Sequence, residues 1–390
     1  MISVEEAKRI MMEHAQALVP GDMALSSANG FVVEDVIAPY DHPHFDMSAV
    51  DGYAFRWSSG VSTWDVVGEV AAGEHLLREL ALGECARIFT GAMVPMGADT
   101  IVMQEFVERA GHRITHSDNR LNRGGNIRKK GEHLQRGQVV LAAGERLDAA
   151  AKGLLASVGV FRVKSIRSPG VSVIITGSEF SCGPVPEPGQ IFGSNDVMLE
   201  ALIAQAGATS ELVHVPDEMV VLEEAITRAV AHADVVISTG GASVGDHDLV
   251  HAAIERCGGR AVFHGVAQKP GKPMLFAMFG DKPFFGLPGN PRAVAVLFWE
   301  YVLPFLRTMK GAKDPWLIGD VLPVTHTVNV KGDRAEFRAA QVKGGKVTLL
   351  PDEGSHMLRS LVEGNALAYL PAHQRSIKVG DELEIHYLPR

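Results

Sequence analysis

The middle of the chain, residues 171–309, alternates between short apolar runs and longer stretches in which apolar residues recur with helical spacing. Runs typical of buried strands include VSVIIT and DVVIST, and helical spacing is clear in NDVMLEALIAQAGA and DEMVVLEEAITRAVAHA. Regular alternation of strand and helix predicts a mostly parallel sheet with helices on both faces, a doubly wound α/β domain. Ligands of such domains bind outside the carboxyl ends of the strands, so we expect the loops TGSEF, TGGASVGDHD and GLPGNP to meet there.

The two flanking regions follow a different pattern. Residues 1–165 begin with helical spacing and continue as short, turn-bounded apolar segments, which predicts a β-rich region of more than one lobe. Residues 316–390 alternate short strands and turns, with one helix-like SHMLRSL segment, and predict a small β-rich module. We therefore expect an N-terminal region at 1–165, an α/β domain at 166–310 and a C-terminal domain at 316–390.

The stretch DVVISTGGASVGDHD, residues 234–248, joins a predicted strand to a predicted helix through a glycine-rich turn. Glycines allow close approach of the backbone and a helix N-terminus presents free N–H groups, so this arrangement is typical of a phosphate cradle. Asp246 and Asp248 would repel a bare phosphate, and we therefore expect either a bridging Mg²⁺ or a ligand that offers hydrogen-bond donors. A tight turn in which Asp248 caps the helix is the structural alternative.

Two proline motifs follow in the same region. KPGKP places Lys269 and Lys272 on a stiff turn, and a rigid pair of ammonium groups suits a small oxyanion. The alternative for both lysines is ordinary surface charge. GLPGNP is typical of a helix start, with Asn290 as the candidate cap and Pro291 at the first helical position.

The N-terminal region contains two glycine turns with polar side chains and one basic run. Asp51 precedes Gly52 in a turn flanked by apolar residues, where an unpaired buried carboxylate would be costly. Thr90 lies in a comparable turn, FTGAMVPMGAD. The run NRGGNIRKKGEH, residues 122–133, is either a solvated loop or a loop that contacts an anion.

Composition excludes several classes of function. The chain has 390 residues, 46% of them apolar and 21% charged, and its net charge of −9 argues against general binding of nucleic acid or anionic membranes. Its three cysteines form no CxxC pair, which favours a reducing cytosol over a disulfide framework or a cysteine zinc site. We expect no signal peptide and no membrane span. His247 and His251 have i,i+4 spacing but lack the glutamate of a zinc-binding HExxH motif.

Eight segments, in order along nearly the whole chain, resemble the molybdopterin molybdenumtransferase (MoeA) family, whose animal relative is the E domain of gephyrin. They are MSAVDGYAF, FTGAMVPMGADTIVMQE, IRKKGEH, ITGSEF, STGGASVGDHD, KPGKP, GLPGNP and SHMLRSLVEGNAL. The resemblance implies an elongated homodimer with a pair of N-terminal subdomains, a central molybdopterin-binding α/β domain and a C-terminal β-barrel, and the cysteine usage favours a cytoplasmic location. It implies a reaction that inserts molybdate into adenylyl-molybdopterin with Mg²⁺ and releases AMP and molybdenum cofactor. The partner proteins that it implies are molybdopterin adenylyltransferase and molybdoenzyme apoproteins.

The resemblance also implies roles for individual residues. The catalytic set is Asp51, Thr90, Glu179, Asp248, Lys269 and Lys272. In the family, residues at the positions of Asp51 and Thr90 complete the pocket from the partner subunit, and Glu179 and Asp248 are the implied metal ligands. The pterin-binding set is Ser194, Asn195, Asp217, Gly240, Gly241, Ser243, Gly245, Pro288 and Pro291. The molybdate set is Lys269, Lys272, Arg334, Ser355 and Ser360.

Five positions depart from the family pattern: His133, Ser178, Gly193, Gly265 and Ala339. His133 stands where an aspartate is usual, and a neutral imidazole cannot supply a carboxylate's charge to Mg²⁺. Ala339 stands where an arginine often follows the EF pair. His133, Ser178 and Gly193 motivate an alternative function, that of a non-catalytic or altered paralogue that binds molybdopterin or the finished cofactor and delivers it to apoenzymes.

Overall fold

The computed structural model describes residues 1–181, 183–240, 249–330, 332–351, 354, 356–372 and 376–389. By compactness the chain divides into two units. The larger unit consists of Met1–Gly21, Asn29–Val33 and Ser165–Arg390, and the smaller unit consists of Asp22–Ala28 and Glu34–Lys164. The domain limits at 1–165, 166–310 and 316–390 stay predictions.

The helices within the described ranges are α1 (Val4–Glu13), α2 (Ala149–Ser157), α3 (Asn195–Gln205), α4 (Met219–His232), α5 (Leu249–Arg256), α6 (Pro291–Leu297), α7 (Leu303–Met309) and α8 (Arg359–Glu363). A π-helical turn, Phe298–Val302, joins α6 to α7. The first helix begins where the sequence predicts, because Ser3 is its N-cap and accepts a hydrogen bond from the Glu6 N–H at 3.1 Å. A search of the described residues finds no helix long and apolar enough to cross a membrane.

The strands up to residue 166 are β1 (Pro20–Ala24), β2 (Val36–Ile37), β3 (Met47–Ser48), β4 (Gly52–Phe55), β5 (Trp64–Val70), β6 (Glu84–Ile88), β7 (Thr100–Met103), β8 (Val107–Ala110), β9 (Arg113–His116), β10 (Ile127–Arg128), β11 (Val139–Leu141) and β12 (Arg162–Ile166). Those after it are β13 (Gly170–Thr176), β14 (Thr209–Val215), β15 (Val235–Thr239), β16 (Arg260–His264), β17 (Gln268–Lys269), β18 (Leu275–Phe279), β19 (Lys282–Leu287), β20 (Gly319–Pro323), β21 (Val328–Asn329), β22 (Ala335–Lys343), β23 (Lys346–Leu349), β24 (Ala366–Leu370), β25 (Ser376–Ile377) and β26 (Glu382–Tyr387).

The centre of the larger unit is a sheet with strand order β14-β13-β15-β19-β18-β16. The first four strands of this order are parallel, whereas β18 pairs antiparallel with both β19 and β16. Helices α3, α6 and α7 pack their apolar residues on one face, and α4 and α5 pack on the other. The predicted doubly wound α/β domain is therefore confirmed, and buried strands such as Val235–Thr239 account for the uninterrupted apolar runs in the sequence.

The C-terminal strands form a second sheet with order β17-β22-β24-β26-β20, and β23 pairs with the outer end of β22. A bridge between Val324 and Val347 connects the chain after β20 to β23, so the sheet curls back on itself around its own apolar core. This curled sheet agrees with the predicted C-terminal β-barrel. Its short strand β17 ends at Lys269, the first residue of the KPGKP motif.

The smaller unit is β-rich, as predicted. Its main sheet has the order β7-β4-β6-β5-β9-β8. Phe55 and Trp64 are buried against one face, with ring centroids 4.4 Å apart, and Ile88 and Ile101 are buried in a second cluster. Strand β4 is buried along its whole length, which fixes the turn that carries Asp51 immediately before it.

Candidate functional site

The carboxyl ends of β13 and β15 and the loop after β19 lie together at one edge of the central sheet. Gly240, the first residue after β15, has φ +90°, and a side chain there would collide with the carbonyl oxygen of Thr176 at the end of β13. A Cβ atom on Gly289, in the loop after β19, would lie 3.7 Å from the Cα of Gly240. Only glycine fits at position 240, because its backbone is left-handed and the space beside it is closed.

Asn195 ties these loops together from the start of α3. Its side chain is 5% exposed, and its Nδ2 atom donates to Thr239 Oγ1 and to the Gly289 carbonyl oxygen, both at 2.8 Å. Ser194 occupies the N-cap position of α3 but makes no capping hydrogen bond with its side chain. The hydroxyl of Ser194 is therefore not committed to the helix.

Three buried polar atoms at this edge lack a hydrogen-bond partner among the described residues. They are Asn195 Oδ1, Thr176 Oγ1 and Ser238 Oγ. Buried polar atoms are almost always hydrogen-bonded, and exceptions in a loop cluster are typical of a site that a ligand or water completes. The carboxyl edge thus has the closed backbone and the unsatisfied polar groups of a binding site.

The GLPGNP motif starts a helix, as predicted. Asn290 is the N-cap residue of α6, and Pro291 lies in the first turn. The side chain of Asn290 makes no capping hydrogen bond, so the helix start rests on the proline rather than on the predicted cap. Pro288 is buried in the same loop.

Two predicted acidic residues follow strands of the same sheet. Glu179 and Asp217 come after β13 and β14, which are parallel, and both are exposed. The carboxylate of Glu179 folds back against Gly177, where a Cβ atom would collide with it. Exposed carboxylate oxygens suit Mg²⁺, which binds through one or two carboxylates and the substrate's phosphates. Within the described residues no group of three or more His, Cys, Asp and Glu side chains is arranged to hold a metal by itself.

Several predicted site residues lie outside the described residues. They are Gly241, Ser243, Gly245 and Asp248 of the glycine loop, and Ser355. Asp246 also lies outside them, so the choice between Asp246 and Asp248 as metal ligand stays a prediction.

The lysine turn is part of a cluster of charged side chains in the larger unit. Strand β17 pairs with β22, which places Lys269 opposite Glu336, with Lys269 Nζ 3.9 Å from Glu336 Oε1. Arg338 donates to the buried Glu336 carboxylate from Nε at 2.7 Å, and Arg334 donates from Nη1 to the Gln268 carbonyl oxygen at 3.2 Å. Among the side chains of this cluster that the structure describes, cations outnumber carboxylates, which suits an oxyanion.

Sequence analysis missed Glu336 and Arg338. They are two residues apart on β22 and therefore share a face of the strand, a signal that the RAEFRA pattern contains. Arg338 directly follows the EF pair and is 8% exposed, whereas Ala339 points into the apolar core and is fully buried. Ala339 replaces the arginine that is often found in the family, but the guanidinium of Arg338 still lies beside the lysine turn.

Ser360, a predicted molybdate residue, is enclosed. It is 1% exposed, and its Oγ accepts a hydrogen bond of 2.6 Å from Arg292 Nη1. Arg292 follows Pro291 in α6 and was not predicted as a functional residue. The resemblance implied roles for Ser355 and Ser360. Ser360, the one within the described residues, is already hydrogen-bonded within the protein.

In the smaller unit, Asp51 and Thr90 form one closed motif. Asp51 Oδ1 accepts hydrogen bonds from the backbone N–H and the hydroxyl of Thr90, both at 2.8 Å. These hydrogen bonds, with a smaller contribution from the charge of Arg87, hold the pKa of Asp51 below its usual value. Gly52 lies so close to the Val102 carbonyl oxygen that no side chain fits there. The sequence predicted that a buried carboxylate here would need a partner, and Asp51 has two hydrogen-bond donors, both on Thr90.

Arg87 lies beside this motif and was also missed. Its guanidinium carbon is 5.1 Å from the centre of the Tyr53 ring and 4.9 Å from that of Phe89. It donates to the Gly52 carbonyl oxygen at 3.2 Å and to the side chain of Gln104. Two aromatic contacts and two hydrogen bonds fix the positive charge next to Asp51.

The basic run is largely neutralised within the smaller unit. Lys129 Nζ lies 2.8 Å from Asp46 Oδ2, and Lys130 Nζ lies 3.5 Å from Asp41 Oδ2. Arg123 Nε lies 2.7 Å from Asp99 Oδ2. These ion pairs favour the solvated-loop interpretation over an anion-contacting loop. His133, in the same run, packs edge-on against the ring of His42 at 5.5 Å.

Three other departures have local explanations or consequences. Gly265 has φ +89°, a conformation that favours glycine over other residues. A Cβ atom at Gly193 would lie 3.7 Å from the carboxylate of Asp196, so an acidic group is near that position. Ser178 is exposed in the loop after β13.

A doubly wound sheet with polar groups at its carboxyl edge, followed by a curled β-sheet, defines a multidomain protein with a ligand-binding α/β domain. Family models match three consecutive parts of the chain: the MoeA N-terminal region (domain I and II) at residues 2–159, a probable molybdopterin binding domain at 172–308, and the MoeA C-terminal region (domain IV) at 322–388. The chain belongs to the MoeA family of molybdopterin molybdenumtransferases.

Individual relatives are similar over almost the full length. The molybdopterin molybdenumtransferase of Nostoc sp. is 36% identical over 384 residues, covering 94% of this chain and 88% of the relative. That of Haemophilus influenzae is 32% identical over 400 residues, covering 99% and 98%. The crystal structure of the molybdopterin biosynthesis MoeA protein from Pyrococcus horikoshii OT3 matches with a TM-score of 0.77, 28% identity and full coverage of both chains.

Proposed function

We propose that this protein is a molybdopterin molybdotransferase, which inserts molybdate into adenylyl-molybdopterin and releases AMP and molybdenum cofactor. The observation that carries the proposal is the match to transferases of that name along nearly the whole chain, at 36% identity over 384 residues in one case. The carboxyl edge of the sheet and the cationic cluster support it, because they offer one site for a phosphorylated ligand and one for an oxyanion.

The carboxyl edge of the central sheet binds the pterin and its phosphate in this proposal. Gly240 brings the backbone close, and Ser194 and Asn195 present polar atoms from the start of α3. Asn195 Oδ1 accepts a hydrogen bond from the ligand and the Thr176 hydroxyl donates or accepts one, which removes the cost of leaving them buried and unsatisfied. Asp217, Pro288 and Pro291 form the rest of the described rim, and Gly241, Ser243 and Gly245 are proposed from the resemblance alone.

The cationic cluster binds molybdate in this proposal. Lys269, Lys272 and Arg334 supply positive charge, and Arg338 adds the guanidinium that sequence analysis missed. The buried Glu336 holds Arg338 by two contacts, at 2.7 and 2.6 Å, and thereby fixes where that charge lies. Fixed charges at the position of the reacting oxyanion lower the barrier without reorganisation during the reaction.

Mg²⁺ would be held by Glu179 and, from the resemblance, by Asp248. When bound, it would neutralise phosphate charge and favour departure of AMP. Asp51 stays ionised near pH 7, because the Thr90 hydrogen bonds lower its pKa, so it acts as a fixed negative charge rather than as a proton donor.

We further infer that the working form is a cytoplasmic homodimer in which the partner subunit supplies Asp51 and Thr90, as the family resemblance implies. Molybdopterin adenylyltransferase would supply the substrate, and molybdoenzyme apoproteins would receive the product. Light scattering at micromolar concentration checks the assembly: only a species near the chain mass of 41.9 kDa would contradict it.

The carrier alternative is not favoured, since the relatives are named as transferases. One assay separates the two functions. Purified protein is incubated with adenylyl-molybdopterin, molybdate and Mg²⁺, and AMP is quantified by chromatography, with EDTA and molybdate-free reactions as controls. We expect AMP release that needs the metal. Tight pterin binding without AMP release, under conditions where a relative works, would select the carrier function and reject the transferase.

A further inference from the structure

Arg292 is a buried arginine that none of the predicted roles uses. It is 2% exposed and follows Pro291 at the start of α6. Arginine is rarely buried to this extent unless its donors are hydrogen-bonded. Its Nη1 atom donates to Ser360 Oγ at 2.6 Å and to the Met357 carbonyl oxygen at 3.3 Å. Both acceptors belong to the C-terminal region, 65 and 68 residues further along the chain.

The same helix also supports the lysine turn. A Cβ atom at Gly271, between Lys269 and Lys272, would lie 2.8 Å from the side chain of Leu297 in α6. The turn is therefore in close contact with the last residue of α6, while Arg292 near its first residue holds the segment that begins α8. Helix α6 thus fixes the distance between the lysine turn and the segment that contains Ser360.

We propose that Arg292 is a positioning residue of the molybdate site. By bonding Ser360 and Met357, it fixes the segment that begins α8 relative to the lysine turn, so that the cations of the cluster converge on one tetrahedral oxyanion. Both bonds come from Nη1, and the planar guanidinium fixes the directions of its N–H groups, whereas a lysine ammonium on a flexible stem does not hold that geometry. This inference rests on the proposed function.

The test uses full-length protein and two kinds of measurement. Binding of molybdate and of tungstate is measured by calorimetry without turnover, and KM is measured separately for molybdate and for adenylyl-molybdopterin. For Arg292→Met we expect the molybdate Kd and KM to rise about tenfold or more, with the KM for adenylyl-molybdopterin unchanged. For Arg292→Lys we expect a rise in the same two constants for molybdate, and for Ser360→Ala a smaller rise.

Arg307→Met is the matched control. Arg307 lies in α7 of the same continuous helical segment and donates to the carbonyl oxygens of Pro315 and Trp316 at 3.0 and 2.6 Å. It thus holds a C-terminal segment that does not include Ser360. We expect Arg307→Met to leave the molybdate Kd at the wild-type value, even where it lowers the melting temperature as much as Arg292→Met does.

Two results overturn the inference. Wild-type molybdate affinity in Arg292→Lys and Ser360→Ala rejects it even if Arg292→Met fails to fold, and an equal loss of affinity in Arg292→Met and Arg307→Met reduces Arg292 to general stability. Failure of the wild-type protein to bind molybdate or tungstate at all is a different result, since it contradicts the proposed molybdate site itself.

Discussion

The acidic motif of the smaller unit and the cationic cluster of the larger unit are built in opposite ways. Asp51 and Thr90 are 39 residues apart, lie at adjacent strand ends of one sheet, and bond directly to each other. The cationic cluster collects Lys269 from β17, Arg334 and Arg338 from β22, and the support of Arg292 from α6. The first motif joins two neighbouring turns by direct hydrogen bonds, and the second depends on the packing of several elements.

This difference predicts how each region fails. Asp51 is oriented by neutral donors and is accessible to solvent, so its removal should change chemistry with little change in stability. The cations surround a buried carboxylate, and removal of one leaves Glu336 with less compensation, so both binding and stability should change.

The largest expected effect is that of Lys269→Met. It removes the ammonium group that lies 3.9 Å from the buried Glu336 and leaves the turn intact, and we expect a loss of about 100-fold or more in kcat/KM for molybdate. Steady-state AMP release at varied molybdate measures it. Lys343→Met, at the exposed far end of β22, is the control and should behave as wild type.

Asp51→Asn comes next. Asparagine can still accept the Thr90 hydrogen bonds through its carbonyl oxygen, but it carries no charge. We expect kcat to fall about tenfold to 100-fold, with the KM for molybdate and the melting temperature unchanged. A rise in the KM for molybdate comparable to that of Lys269→Met would remove the distinction between the two regions.

A smaller effect is expected for Arg87→Met. The two Thr90 hydrogen bonds that contribute most to the low pKa of Asp51 remain, so the carboxylate stays ionised near pH 7. We expect a loss of less than about tenfold in kcat at pH 7. Arg113→Met, which removes an exposed ion pair with Asp65 on the same sheet, should have no effect on turnover. A loss as large as that of Asp51→Asn would show that Arg87 itself contacts the substrate.

Part of this comparison could be predicted from sequence. Apolar runs such as VSVIIT marked buried strands, and the rule for parallel sheets placed the loops after β13, β15 and β19 at one edge. Asp51 and Thr90 were found individually, because each lies in a recognisable glycine turn. Their mutual hydrogen bonds could not be predicted, since nothing in either turn fixes the register between β4 and β6.

The cationic cluster was less accessible to such reasoning. The pairing of β17 with β22 in the C-terminal sheet follows from packing between segments 67 residues apart, Gln268 with Ala335. The contact of Arg292 with Ser360 spans 68 residues and has no local signature. Local patterns determine elements and turns, whereas contacts between distant segments depend on how the elements pack.

The smallest expected effect concerns stability rather than the reaction. Glu300 is 2% exposed and lies 2.6 Å from Lys8 Nζ and 2.8 Å from His386 Nδ1. Burial lowers the pKa of His386, but the hydrogen bond and charge of Glu300 outweigh it, so the net pKa is raised above 6.5. Burial raises the pKa of Glu300. The charge of Lys8 and the hydrogen bond from His386 lower it by more, so the net pKa is below its usual value.

The sign follows from linkage. A raised histidine pKa gives stabilisation that is complete below pH 6.5 and is lost as the pH rises through the raised value. We therefore expect His386→Gln to lower the melting temperature by a few degrees near pH 6, with a smaller difference from wild type near pH 8. Thermal denaturation at both pH values checks it, and a difference that grows with pH would contradict the assignment.

Subunit complementation tests most directly whether the two regions serve one reaction. Asp51→Asn and Lys269→Met chains with different tags are coexpressed, and the mixed dimer is purified through both tags. If the partner subunit supplies Asp51, the mixed dimer has one site with both residues intact and should show about half the wild-type AMP release, far above either parent variant. A mixed dimer no more active than its parents, or the absence of any mixed dimer, would contradict the shared site.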